Sequence, residues 1–160
     1  MGKRIIVATA SPPLAEGGHL VMARELVRAL QECGHEATIL ITPQNRFGRQ
    51  GAAYLAAWLT DVQVAHEGRT VDQVISLRFP AYAVRHDAHV VWLNHRMREY
   101  YDLWDRFSSQ LSAKNRMKEG IRRALVHRVD RHLLTKRVKR LFVISATVQA
   151  HGGYINAYTT

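Results

Sequence analysis

Residues 3–9 (KRIIVAT) form a short β-branched apolar run, which predicts a strand buried on both faces. After a loop over 10–18 the period changes. Leu20, Ala23, Leu26, Val27 and Leu30 recur at helical spacing through residues 19–33, and Gly34 stands where a left-handed residue ends a helix. Residues 36–42 (EATILIT) return to a strand pattern closed by Pro43, so the first forty residues predict the strand–helix–strand unit of a parallel sheet. Residues 49–59 are Ala-rich, with Tyr54, Leu55, Trp58 and Leu59 toward one side, and predict a helix. Residues 71–77 and 89–93 (HVVWL) predict strands, 98–107 and 112–136 helices, and 141–144 a last strand, after which Ser145 is placed to cap a helix starting at Ala146. The alternation predicts one α/β domain over residues 1–150: a single Rossmann-like, doubly wound, mainly parallel sheet with helices on both faces. Residues 151–160 (HGGYINAYTT) show no periodicity and are expected to be an irregular tail left by truncation.

Charge changes the picture more than composition does. With 47% apolar and 22% charged residues the 160-residue chain has a globular balance, but its net charge is +10 and its pI about 10.4. Between Arg96 and Arg140 fourteen Lys and Arg stand against five Asp and Glu, so this segment holds nine of the ten excess charges. Such a balance asks for an anionic partner: nucleic acid, an acidic membrane surface, or an acidic substrate such as a lipid phosphate or nucleotide sugar. The plain alternative is a solvated helix face. No helix-turn-helix pattern or basic–aromatic interleaving favours nucleic acid. Lys118, Arg122, Arg123 and Arg128 flank a four-residue step of Met117, Ile121, Leu125, Val129 and Leu133, part of which is expected to cover the sheet; this is also the form of a basic amphipathic helix, and the four cations are the candidate anion or membrane contacts. The apolar run at the N-terminus is too short for a signal-peptide core, no stretch reaches the length of a membrane span, and Cys33 is the single cysteine. These features predict a cytoplasmic address, peripheral at the inner face of the membrane if the basic segment docks there.

Candidate chemistry gathers where strands hand over to helices. The loop Ser11-Pro12-Pro13-Leu14-Ala15-Glu16-Gly17-Gly18 follows the first strand; two glycines there let backbone N–H groups approach a phosphate or sugar, and a plain tight turn explains them equally. Dinucleotide and Walker fingerprints are absent, as are G-x-S-x-G and H-E-x-x-H, so neither a serine hydrolase nor a metal site is indicated. His95 follows the 89–93 strand and can bond a sugar hydroxyl or leaving-group oxygen, or be satisfied by backbone; Arg96 beside it can bind phosphate or be a surface charge. Tyr100, Tyr101, Trp104 and Phe107 cluster at near-helical spacing, as a sugar-stacking platform or, more commonly for such a stripe, as core.

The order of these segments resembles the opening of GT-B glycosyltransferases of family 4. The similarity lies in the loop ending Glu16-Gly17-Gly18, the helix end Leu30-Gln31-Glu32-Cys33-Gly34-His35-Glu36, Asp72-Gln73-Val74-Ile75, Phe79-Pro80-Ala81-Tyr82, Val91-Trp92-Leu93-Asn94-His95-Arg96 with Tyr101-Asp102-Leu103-Trp104, and Asp130 followed by Phe142-Val143-Ile144-Ser145. The resemblance implies the acceptor-side half of a retaining, metal-independent glycosyltransferase without a cofactor, moving a sugar from a nucleotide-sugar donor to a sugar or lipid-linked acceptor. It implies roles for His95 in catalysis and for Glu16, Gly17, Gly18, Arg96 and Ser145 in donor or acceptor binding. The donor would be held mainly by a C-terminal Rossmann-like domain, or a partner chain, beyond residue 160, so the chain is expected to be inactive alone. The alternative is a non-catalytic α/β module that docks on anionic membrane.

Overall fold

The computed structural model describes residues 2–44 and 47–144, and the backbone of 158–159. Six strands, β1 (Arg4–Ser11), β2 (Glu36–Pro43), β3 (Gln73–Ser76), β4 (His89–Leu93), β5 (Arg140–Val143) and the two-residue β6 (Tyr158–Thr159), form one sheet in the order β2-β1-β3-β4-β5-β6. Every pairing is parallel. The predicted α/β class and doubly wound arrangement therefore hold. Inside the tail expected to be irregular, Tyr158 and Thr159 pair with Phe142 and Val143.

One face of the sheet is covered by α1 (Gly18–Glu32), whose Ala23, Leu26, Val27 and Leu30 pack on Val7, Ile39, Ile75 and Trp92. The other face carries the larger core, where Ala53, Tyr54 and Ala57 of α2 (Gln50–Leu59) and Val126 of α4 (Ala113–His132) meet Ala8, Val74, Val91, Leu93, Leu141 and Val143. The short α3 (Trp104–Ser109) precedes α4. Gly34 has φ +81°, and the N–H groups of Gly34 and His35 donate to Gln31 O (2.9 Å) and Leu30 O (3.0 Å), so α1 ends as its glycine predicts. From β1 the chain crosses to β2 over one face and then returns past β1 to β3 over the other. The winding thus reverses between β1 and β3, and the carboxyl ends of these two strands open a crevice.

Two predicted helices differ from expectation. Residues 98–107 form a single 3-10 turn (Arg98–Tyr100) and then α3, with a break at Tyr101 (φ −119°, ψ −99°). The cause is tertiary: Tyr100 is fully buried and donates its hydroxyl to Glu119 (2.6 Å), while Tyr101 donates to Asp130 (2.7 Å). The break lets these two adjacent side chains reach partners eleven residues apart on α4. The second difference is the face of α4. Of the apolar step read from the sequence only Leu133 is buried; Met117, Ile121 and Leu125 are 68%, 60% and 59% exposed and Val129 39%. The inward face carries Glu119, Val126 and Asp130, with Arg122, Arg123 and His127 half-buried beside them. Polar residues turn inward because the core beneath supplies tyrosine hydroxyls and the Tyr100 carbonyl as partners. Among the described residues no helix is long and apolar enough to cross a membrane.

Between β3 and β4 a fully buried pair, Ser76 Oγ and His89 Nε2, lies 2.8 Å apart. Burial, helped by nearby His86, lowers the His89 pKa from 6.5 to about 4. A depressed folded-state pKa contributes stability that is complete above the unfolded value and is lost as pH falls through the folded one. From pH 6.5 down to about 4 the domain should lose on the order of 3 kcal/mol through this histidine alone. Urea unfolding at pH 7 and pH 5 measures the loss, and His89→Gln should flatten the difference. An equal slope in wild type and variant would remove His89 as its source.

Candidate functional site

The carboxyl ends of the first strands concentrate polar groups that the fold leaves unsatisfied. Six buried side-chain atoms have no hydrogen-bond partner among the described residues, and four of them follow these strand ends: His19 Nε2 after β1, Gln44 Oε1 after β2, Arg78 Nε after β3 and Asn94 Oδ1 after β4. Buried polar groups are ordinarily paired, because an unmade hydrogen bond costs about 1–3 kcal/mol. A cluster of exceptions at the switch of a parallel sheet is the pattern of a site whose ligand completes it.

Each position follows from local structure. α1 begins at Gly18 after an extended Gly17, with no side-chain cap and no acidic residue in its first turn; Leu20 and Val21 donate to Gly17 O, and the N–H groups of Gly18 and His19 are left without a partner among the described residues. A Cβ on Gly17 would come within 3.0 Å of His19 Nδ1, whereas one on Gly18 would meet nothing within 4 Å. A side chain at Gly17 would press on the His19 ring, and the backbone at Gly18 faces open space. Glu16 is held by a two-oxygen contact to Arg24 at 3.3 Å. Pro12 to Glu16, with Leu20, Arg24 and the end of β2, line an open recess, at whose tip Leu14 is fully exposed with φ +60°.

A second cleft, of about 290 Å³, lies beside β3 and β4 and is lined by Gln44, Phe47, Gln50, Arg78, His95, Arg98 and their neighbours. His95 Nδ1 lies 2.9 Å from Arg96 O. Donation of the Nδ1 proton to that carbonyl leaves the Nε2 lone pair as an acceptor. Burial first, and then the charges of Arg78 and Arg98, lower the His95 pKa, against the Arg96 carbonyl and Asp102, which raise it; the ring is therefore neutral at pH 7. His19 is lowered likewise by burial and by Arg78 and His95, against Glu16. His19, Arg78 and His95 thus lie within electrostatic reach of one another. Arg96 also lines the cleft, its guanidinium carbon 3.3 Å from the Tyr101 ring centroid.

The structure therefore brings Glu16, Gly17, Gly18, His95 and Arg96 to one rim, together with His19, Gln44, Arg78 and Asn94, which sequence reasoning did not select. Strand ends were the available signal: Gln44, Arg78 and Asn94 stand one or two residues past the strands that the apolar runs outline. Ser145 lies outside the described residues. Tyr100, Tyr101, Trp104 and Phe107 pack in or against the core, so the aromatic stripe is structural. Asp130 is also structural, fully buried inside α4 and accepting from Tyr54, Tyr82 and Tyr101. Of the candidate anion contacts, Arg122 bonds Glu119 (2.5 Å) and Arg123 bonds Tyr100 O (2.8 Å) and lies over Trp104. Lys118 and Arg128 are exposed. Among the described residues no three His, Cys, Asp or Glu side chains gather as metal ligands. No protein-family model, curated protein or solved structure matches the chain in comparison.

Proposed function

We propose that this chain forms the acceptor-side domain of a retaining glycosyltransferase, with a second Rossmann-like domain, in the same polypeptide or a partner, holding the nucleotide-sugar donor above its carboxyl rim. The observation that carries this reading is the cluster of unpartnered buried polar atoms at the ends of β1 to β4. Departure of a nucleoside diphosphate needs fixed donors aimed at growing negative charge, and the uncapped N–H groups that open α1 are such donors. A neutral His95 with a free Nε2 lone pair fits a hydrogen bond from a hydroxyl of the transferring sugar. The acceptor hydroxyl then bonds to the anomeric carbon as the bond to the diphosphate breaks, and its proton leaves with the diphosphate. The motif order, from Glu16-Gly17-Gly18 to Asn94-His95-Arg96, supports the family-4 GT-B type. The test is sugar transfer by the chain joined to a nucleotide-sugar-binding domain, with the chain alone expected to be inactive.

One observation favours a second reading, a module that docks on anionic membrane. Met117, Ile121 and Leu125 are exposed on the outer side of α4, beside exposed Lys114, Lys118, Arg128 and Arg131. Apolar groups that enter the headgroup layer and cations worth about 1 kcal/mol each near it would hold the domain reversibly. The two readings are compatible if the acceptor is lipid-linked. Sedimentation with anionic vesicles is expected, weakening with salt, and should be lost when Lys114, Lys118 and Arg128 become Gln. Arg122→Gln and Arg123→Gln should instead lower stability, because both side chains bond inward. Equal sedimentation with neutral vesicles, or none with either, would sink this reading.

A further inference from the structure

Arg78 is the least explained charge among the described residues. It follows β3 at the reversal of the sheet, is more than half shielded from water, and makes no hydrogen bond or ion pair with any described residue. Burial alone lowers its pKa, and among the described residues no acid is near enough to oppose that shift. A partly buried guanidinium without a counter-charge is a costly arrangement that a structural arginine does not need. The neighbouring cations of the cleft are engaged, Arg98 with Asp102 at 3.0 Å and Arg96 on the Tyr101 ring. Arg78 therefore faces the cleft with its bonding capacity intact, beside His95 and the unpartnered oxygen of Gln44.

We propose that Arg78 anchors a phosphoryl group carried by the acceptor, in the cleft between the ends of β3 and β4 and the start of α2. The charge of the cleft selects this chemistry: among the described residues three arginines and one acid, Glu99, line it, and a planar guanidinium matches two phosphate oxygens at once. Gln50, which bonds Tyr100 Oη at 3.4 Å, and His95 border the same space and would contact the remainder of the acceptor. The assignment of the phosphoryl group to an acceptor rests on the transferase reading; the anion site itself does not.

Thermal unfolding of the intact chain, at constant ionic strength, tests the inference with inorganic phosphate, glycerol 3-phosphate and uridine diphosphate as probes. Phosphate and glycerol 3-phosphate should raise the melting temperature of the wild type, as ligands of the native state do. Arg78→Met should remove that rise while unfolding no earlier than the wild type without ligand, since it relieves an unpaired buried charge. Arg78→Lys, which keeps the charge and loses the fork, should bind phosphate about tenfold more weakly. An equal rise in wild type and Arg78→Met would overturn the proposal, as would destabilisation by both variants, which would make Arg78 structural. Binding of uridine diphosphate without either monophosphate would overturn the acceptor assignment and give the arginine to the donor. If the monophosphates bind through Arg78 and no sugar is ever transferred, the anion site stands and the transferase reading falls. If sugar is transferred and Arg78→Met leaves phosphate binding unchanged, the reverse holds.

Discussion

Asp130→Ala is expected to cost about 3–5 kcal/mol, a large part of the roughly 5–15 kcal/mol that holds a domain folded. The carboxylate sits fully buried on the inner face of α4 and accepts hydroxyl protons from Tyr54 and Tyr82 on one oxygen (2.6 Å from Tyr82) and from Tyr101 on the other, at 2.7 Å. Tyr54 comes from α2, Tyr82 from the turn after β3, and Tyr101 from the segment before α3, so one side chain ties three parts of the chain to α4. Burial pushes the Asp130 carboxyl above its ordinary pKa, and the bonds from Tyr101, Tyr54 and Tyr82, with the charge of Arg96, oppose that shift. Alanine leaves a cavity and strands these hydroxyls, two of them deep in the core, at about 1–3 kcal/mol for each that finds no water. Asp130→Asn keeps an acceptor oxygen but turns an NH2 group toward a hydroxyl, so its cost should fall between wild type and alanine. Urea unfolding measures both. A loss below about 1 kcal/mol for alanine would show that the tyrosines are satisfied elsewhere.

The second large effect concerns turnover. Under the proposed function His95→Ala should reduce the turnover of the assembled transferase about a hundredfold, the usual scale for losing one positioned polar group. Its stability cost should be small, about 1 kcal/mol, because the ring makes a single local bond to Arg96 O. His95→Gln, which retains an oxygen acceptor near the place of Nε2, should recover part of the rate. Unchanged turnover accompanied by a clear drop in melting temperature would make His95 a structural residue. Activity should also fall as His95 becomes protonated. Its lowered pKa places that loss below pH 6.5, so the rate should be flat from pH 7 upward as far as this group decides it.

The parallel sheet and α1 were legible because their signals are local. A β-branched run, a stripe at i, i+3 and i+4, and a glycine at the helix end each act within one element, and β1, α1 and β2 lie close to where those signals put them. The four-residue step on α4 misled for a reason outside the helix. Buried Tyr54, Tyr82 and Tyr100 need polar partners, and meeting that need turned Glu119 and Asp130 inward and left Met117, Ile121 and Leu125 outside. The rim was partly legible: Gly17, Gly18 and His95 follow apolar runs and are reached by reading strand ends. Arg78 was not, because its meaning lies in the absence of a counter-charge, which appears only when the neighbours of β3 are known. Arg122 and Arg123 look identical in sequence to Lys118 and Arg128, and only their partners separate the inward pair from the exposed one.

Sugar transfer tests the central claim most directly. The chain, joined to a nucleotide-sugar-binding domain shown to bind its donor, would be incubated with labelled nucleotide sugar and candidate acceptors, and the product anomer read by NMR. The proposed function predicts labelled product with the donor's anomeric configuration, reduced about a hundredfold by His95→Ala, and none from either domain alone. A folded, donor-loaded assembly that transfers no sugar to any phosphorylated, lipid-linked or free saccharide acceptor would contradict it.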